Sequence, residues 1–341
     1  MLQIPDADLQ RIVEGVGPRW QALRGQRLLL TGGTGFIGKW LLASFLHANR
    51  SLGLDARAVV LSRDLRAFQA RHPELQDAAD IEWLQGDVRD FHLAEPCGWA
   101  LHAATDVVAT QPPSALFDTC VRGTANVLAQ VKDGGRLLLL SSGAVYGHTP
   151  PTLERIPEDH PGAPDPLLPA SAYGEGKRAA ELLCAMAAAE RGLHAPIARC
   201  FAFVGAHLPL DKHFAIGNFI GAALRKEPLQ IGGDGTPLRS YLDAADLARW
   251  LWVLLFDGTS ARAYNVGGDE AVSIEQLAHR VVAALGSGSE VRVAQQPTPG
   301  ASVQKYLPDL ARTAGELGLR VEIGLDEAIR RTARWHQEQQ A

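Results

Sequence analysis

The stretch Leu28-Leu29-Leu30-Thr31-Gly32-Gly33-Thr34-Gly35-Phe36-Ile37-Gly38-Lys39-Trp40-Leu41-Leu42 constrains the fold of this chain more than any other. An apolar run too short for a helix meets three spaced glycines, Gly32, Gly35 and Gly38, and passes into apolar residues at helical spacing. That pattern reads as strand, tight turn, helix. The turn needs positive φ, the backbone must come close to a pyrophosphate, and the first helical turn must pack hard on the strand, so each position asks for glycine. The N–H groups around Phe36, Ile37 and Gly38, at the positive end of the helix, are then the phosphate ligands. A glycine triplet alone is a weak signal, and its meaning depends on the order of elements downstream of it.

Downstream, the chain repeats the alternation of strand and helix. Ala56 to Leu61 reads as a second strand that exits into Ser62-Arg63, with Asp64 only afterwards. In a dinucleotide fold an acid near this point bonds the adenosine ribose. A hydroxyl plus a guanidinium suits a 2′-phosphate instead, so the exit predicts NADP over NAD; the alternative is that Arg63 stacks or faces solvent while Asp64 holds the ribose. Ile81 to Gln85 is a third strand ending in Gly86-Asp87-Val88, where Asp87 is placed to bond an adenine amino group or to cap the turn. Trp99 to Ala104 is a fourth, and its small residues Ala103 and Ala104 let a cofactor lie close. His102, on that apolar strand, reads as a satisfied core histidine rather than a catalyst. A helix over 116–132 is stopped by Gly134-Gly135 before the apolar strand Arg136 to Leu140. This strand delivers Ser141-Ser142-Gly143-Ala144-Val145-Tyr146-Gly147 at its carboxyl end, where such sheets place chemistry. A proline-rich acidic loop, Thr149 to Pro169, reads as a surface flap, and a helix over 170–191 opens with Tyr173 and Lys177, four apart and so on one face. The economical fold is a Rossmann-type, doubly wound parallel sheet.

Bulk properties exclude several classes. A net charge of -5 from 38 acids and 33 bases, with no basic block, gives nucleic acid no surface to follow. Apolar runs such as Trp250 to Phe256 fall far short of the roughly 20 residues that cross a bilayer, so no membrane partner and a cytoplasmic location are expected. Cys97, Cys120, Cys184 and Cys200 lie far apart and suggest neither a metal site nor disulfides.

Taken together, Thr31 to Gly38, Gly86-Asp87-Val88, Leu101-His102-Ala103-Ala104, Ser141 to Gly147 and Tyr173 with Lys177 stand in an order that resembles the extended short-chain dehydrogenase/reductases of the nucleotide-sugar epimerase/dehydratase family. The resemblance covers nearly the whole chain. Ala198 to Gly205, Gly217-Asn218-Phe219-Ile220, Gly233 to Tyr241 and Tyr264-Asn265-Val266-Gly267 resemble later segments of that family. It implies NAD or NADP as cofactor and a nucleotide sugar as substrate.

The chemistry of these residues is consistent with that. A phenol is a poor base at neutral pH, and the ammonium of Lys177 stabilises the phenolate of Tyr173. Tyr173 takes the proton from a sugar hydroxyl, Ser142 holds that oxygen, and Lys177 also reaches the nicotinamide ribose. Members that eliminate water resemble one another in carrying acids directly after the serine or threonine of this strand, where this chain has Gly143 and Ala144, and decarboxylases usually carry glutamate at the Ala144 position. Redox at C4, as in a 4-epimerase or 4-ketoreductase, is the expectation that remains. The alternatives are a 4,6-dehydratase without the usual acids and a non-catalytic dinucleotide sensor.

Two departures affect the surroundings. Cys120 stands where the helix motif usually has asparagine and reads as inert packing. Ala202 replaces another asparagine that contacts the diphosphate, and Asn218 is the candidate replacement. On the substrate side Arg239 is the favoured diphosphate ligand, an ion pair with Asp243 or Asp246 being its structural alternative, and Lys305 sits where relatives have a second arginine. The expected domains are 1–199 with 241–259 for the dinucleotide, a smaller discontinuous α/β unit of 200–240 with 260–325 for the nucleotide sugar, and a helix or tail over 326–341. Helices around 114–132 and 171–191 carry small and apolar faces; the resemblance, in which the equivalent pair forms a four-helix dimer interface, implies a homodimer, and ordinary core packing is the alternative.

Overall fold

The computed structural model describes residues 2–105, 111–212 and 214–339. A seven-stranded sheet is built from β1 (Arg27–Thr31), β2 (Arg57–Ser62), β3 (Ile81–Gln85), β4 (Cys97–His102), β5 (Val131–Ser142), β6 (Ile197–Cys200) and the edge strand Ala263–Val266. From that edge the order is β6, β5, β4, β1, β2, β3, and every pairing from β6 to β3 is parallel. The order reverses at β1, the point where a doubly wound sheet opens a crevice at its strand ends. Leu137, Leu138 and Leu139 of β5 are fully buried, because helices cover both faces of the sheet. Each contributes about 2 kcal/mol of burial.

The helices are α1 (Asp6–Val16), α2 (Phe36–Leu52), α3 (Leu65–Arg71), α4 (Pro113–Ala129), α5 (Ala172–Arg191), α6 (Ala215–Leu224) and α7 (Ala244–Asp257), followed by α8 (Ile274–Leu285), α9 (Ala311–Leu317) and α10 (Leu325–Glu338). In the leading segment α1 ends at Gly17 (φ 63) and a 3-10 turn carries Trp20 into an aromatic cluster with Trp252 and Phe256. The glycines at 134 and 135 do not stop a helix. α4 ends earlier, β5 starts at Val131, and the register between β4 and β5 jumps from Cys97↔Val131 to Trp99↔Arg136, so the glycines lie in a bulge within the strand.

Two compact units divide the chain. The first comprises residues 1–147, 161–200 and 248–264, and the second 148–160, 201–247 and 265–341. The segment 148–160, expected with the dinucleotide half as part of a flap, is therefore in the second unit. Ile156 forms a bridge with Pro308, and the Asn265 amide donates to the Ile156 carbonyl at 2.8 Å. The terminal helix α10 is in the second unit as well, with Ile329 and Ala333 buried.

Candidate active site

The glycine turn is built as its sequence demands. Gly32 has φ 72, and a Cβ there would lie 2.6 Å from the Ala103 carbonyl carbon and oxygen, so the end of β1 and the turn after β4 touch backbone to backbone. A Cβ on Gly38 would sit 2.0 Å from the Gly32 oxygen. Gly35 differs: a Cβ there would meet only the Gly32 oxygen, at 3.4 Å. The protein itself leaves that space open, above the N-terminus of α2, whose N-cap Gly35 supplies no side-chain hydrogen bond. An uncapped helix N-terminus beside a side-chain-free cradle fits a pyrophosphate. Phe36 and Ile37 of the first helical turn are half-buried.

At the end of β2, Ser62 is buried and Arg63 is exposed. Asp64 caps α3, its Oδ1 accepting from the Ala67 N–H at 3.0 Å, so this carboxylate has a structural task of its own. Asp87 accepts from the Arg89 backbone N–H at 2.9 Å and from the Arg89 guanidinium at 2.8 and 2.9 Å, which holds its carboxyl below the usual range. Of the two roles open to Asp87, the turn cap is present. Val88 is buried, 2.8 Å from where a Cβ on Gly123 would stand.

His102 is a satisfied core residue. Nδ1 pairs with Thr31 Oγ1 at 2.8 Å and Nε2 with Thr124 Oγ1 at 3.0 Å, tying the glycine turn to α4 through a buried, neutral ring.

Ser142 ends β5, and its Oγ accepts from the Ala144 N–H at 3.1 Å. Tyr173 and Lys177 arise from the first turns of α5, where the sequence Tyr-Gly-Glu-Gly-Lys carries two glycines. A Cβ on Gly174 would lie 2.7 Å from the Ala144 oxygen, and one on Gly176 would lie 2.8 Å from Cys120 Cβ. The glycines thus let α5 settle onto both the end of β5 and α4, bringing its first turn to the strand that carries Ser142. The Lys177 Nζ stands 6.0 Å from the Tyr173 ring centre and donates to the Leu140 carbonyl at 2.7 Å and to Thr105 Oγ1 at 2.9 Å. The lysine is only 4% exposed, and burial lowers its pKa. Cys120, Cys184 and Cys200 surround it as buried free thiols, all raised by burial, the last two to about 12, which is the behaviour of packing residues.

Sequence reasoning missed two supports. Thr105 receives the lysine. Glu181, one turn beyond it, accepts from Ser141 Oγ at 2.5 Å and from Arg199 at 2.7 and 3.0 Å, and Arg199 lies 4.8 Å over the Tyr146 ring. The four-residue step from Lys177 to Glu181 was a readable signal for this second group.

In the second unit, Asn218 is exposed near the start of α6. Strand Lys305–Tyr306 runs parallel to Leu238–Arg239, with Tyr306 opposite Arg239 and Lys305 opposite Leu238. Successive strand residues face opposite ways, so Arg239 and Lys305, expected to act together, lie on opposite faces of this small sheet. The Arg239 guanidinium sits 5.6 Å over the Tyr306 ring and donates to the Leu238 carbonyl. Asp246 accepts from the N–H groups of Glu322 and Ile323, and Asp243 from that of Ala245. Lys305 pairs with Glu154 at 2.6 Å and donates to the Pro151 carbonyl, tethering the 148–160 segment.

The chain as a whole is similar to several known proteins. Residues 28–267 match the model of the NAD dependent epimerase/dehydratase family. UDP-glucuronic acid decarboxylase 3 of Arabidopsis thaliana is 29% identical over 310 residues, covering 89% of this chain and 86% of its own. UDP-glucuronic acid decarboxylase 1 of Xenopus tropicalis is 28% identical over 324 residues, covering 90% and 71%. Among solved structures, a dTDP-glucose 4,6-dehydratase of Streptomyces venezuelae with NAD bound superposes with a TM-score of 0.75 at 26% identity, covering 92% of this chain and 97% of the other. The UDP-glucose 4-epimerase of Thermotoga maritima gives a TM-score of 0.75 at 21% identity over 92% and 100%, a likeness of fold.

Proposed function

The chain belongs to the NAD dependent epimerase/dehydratase family, and from that premise we propose that it performs oxidation and reduction at C4 of a nucleotide-diphosphate hexose, as a 4-epimerase or a 4-ketoreductase. The observation that carries this reading is the buried Lys177 ammonium, anchored on Leu140 and Thr105 and 6.0 Å from the Tyr173 ring. A cation so placed stabilises the Tyr173 phenolate, which takes the proton of the C4 hydroxyl. Ser142, at the carboxyl end of β5, holds the same oxygen as it becomes a carbonyl. The bound nicotinamide supplies the hydride acceptor and donor. Gly143 and Ala144 bring no acid to the leaving group that elimination requires, and this favours simple redox over 4,6-dehydration.

The named relatives favour a second reading on the same first step. Oxidation at C4 of a nucleotide hexuronate makes a β-keto acid, which loses carbon dioxide without a dedicated acid, and decarboxylases are among the relatives. Ala144 stands where the resemblance leads one to expect glutamate in such enzymes. Arg63 at the end of β2 supports NADP, its guanidinium being suited to a 2′-phosphate. Arg239 and Asn218 serve the diphosphate in the second unit, and Lys305 holds the neighbouring loop. Phe117 on α4 with Leu182 and Met186 on α5, 41%, 61% and 44% exposed, form the apolar face of a homodimer.

Incubation with UDP-glucose, UDP-glucuronate or a nucleotide-activated 4-keto-hexose and either cofactor in its oxidised or reduced form, read by mass spectrometry and chromatography of the sugar, tests the set. Epimerisation or 4-keto reduction that Tyr173→Phe abolishes supports the first reading. Carbon dioxide release from the uronate replaces it with the second, and a Tyr173→Phe protein with unchanged function in the cell leaves only a dinucleotide sensor.

A further inference from the structure

A buried ammonium needs acceptors, and those of Lys177 are unusual in kind. Among the described residues its hydrogen bonds go to a backbone carbonyl, Leu140, and to a single side chain, Thr105, at 2.7 and 2.9 Å. Two of its three N–H groups are thereby committed, and both acceptors are neutral. The groups that face it are Tyr173, Glu181 and Cys184 from its own helix, Cys120 from α4, Cys200 from β6 and His102 from β4. The one carboxylate in that set, Glu181, is occupied by Arg199 and Ser141. The thiols stay protonated, and the His102 ring stays neutral between two threonines. Thr105 is therefore the side chain on which the orientation of the ammonium depends. Its own backbone is held by an N–H donated to the Ala103 carbonyl at 3.0 Å, in the turn after β4. Its hydroxyl also bonds the Cys120 thiol, so it has a hydrogen to donate while it accepts from the lysine.

We propose that Thr105 is a positioning residue whose hydroxyl holds the Lys177 ammonium beside Tyr173, so that the acidity of the tyrosine depends on a side chain outside the Ser142, Tyr173, Lys177 set. The proposal rests on the reading of Tyr173 as the base. Without the hydroxyl, the lysine loses its side-chain acceptor, its charged form is less favoured in a site that already disfavours it, and the phenolate loses its cation.

The test is an ultraviolet titration of phenolate in the whole chain saturated with NADP or NAD, whichever binds more tightly, where the chain has five tyrosines and Tyr241 is pushed up to about 12 by burial. Wild type should show one tyrosine ionising below the others, and Tyr173→Phe should remove that step. Thr105→Val, which keeps the shape and removes the hydroxyl, should move the step upward by about one pH unit. Thr105→Ser should return it, which a loss of packing at this position would not do. A step that stays in place in Thr105→Val overturns the proposal. A wild-type titration with no low step sinks the reading of Tyr173 as base and takes the proposal with it, so the two failures are distinct.

Discussion

Replacing His102 with glutamine should remove a defined part of the acid sensitivity of the fold. Burial, with the Lys177 ammonium adding to it, lowers the His102 pKa to about 3, against about 6.5 in an unfolded chain. Between those values the unfolded state binds a proton that the folded state does not, so stability rises with pH across the window. The contribution is complete above pH 6.5 and is lost as pH falls toward 3, by up to about 1.4 kcal/mol per unit. At pH 5 the loss amounts to about 2 kcal/mol. His72, His194 and His336 are also lowered by burial, so the wild-type slope exceeds that of one group, and only the difference between the two proteins isolates His102. Glutamine keeps a hydrogen-bonding head in reach of one threonine and gives up the other, a cost of about 1 kcal/mol at any pH. Urea unfolding followed by tryptophan fluorescence suits the measurement, since Trp20, Trp40, Trp83, Trp99, Trp250 and Trp252 all lie in the unit that holds His102. Wild type should be the more stable protein at pH 8 and the less stable at pH 5. A gap that is the same at both pH values would refute the argument that the ring is neutral and cannot be protonated in place.

Gly176→Ala adds a good helix former yet should lower Tm, because its Cβ would stand 2.8 Å from Cys120 Cβ and overpacking costs about 1–3 kcal/mol against a propensity gain of about 1; a higher Tm would show that α5 and α4 can part without cost. Arg239→Ala should raise KM for the nucleotide sugar about tenfold or more with little change in kcat, whereas Lys305→Ala should act more weakly, through the 148–160 segment that Lys305 tethers to Glu154 and Pro151. Equal effects on KM would return Lys305 to the diphosphate.

The parts of this molecule that were legible in its sequence are those with a local physical signature. Glycines at 32, 35 and 38 between a strand and a helix, a leucine run in β5, and Tyr173 with Lys177 one turn apart each follow from periodicity or from backbone sterics, and the sheet follows from their alternation. What sequence leaves open is register. Arg239 and Lys305 look alike as cations near two short strands, but pairing Tyr306 with Arg239 sends Lys305 to the other face, where it meets Glu154. A single-residue offset, invisible in composition or spacing, thus separates a candidate ligand from a loop tether.

The same limit applies at the base. Tyr173 and Lys177 are placed by helical spacing, but whether the lysine is charged, and where it points, is decided by residues outside the motif: Leu140 and Thr105, which accept from it, and Gly174 and Gly176, which allow α5 to approach β5 and α4. Burial lowers the lysine pKa, and the hydrogen bonds it donates to Leu140 and Thr105 oppose that effect. The motif accordingly specifies which groups react, while their acidity is a property of the packing around them, and it is there that an epimerase, a reductase and a decarboxylase built on the same three residues can differ.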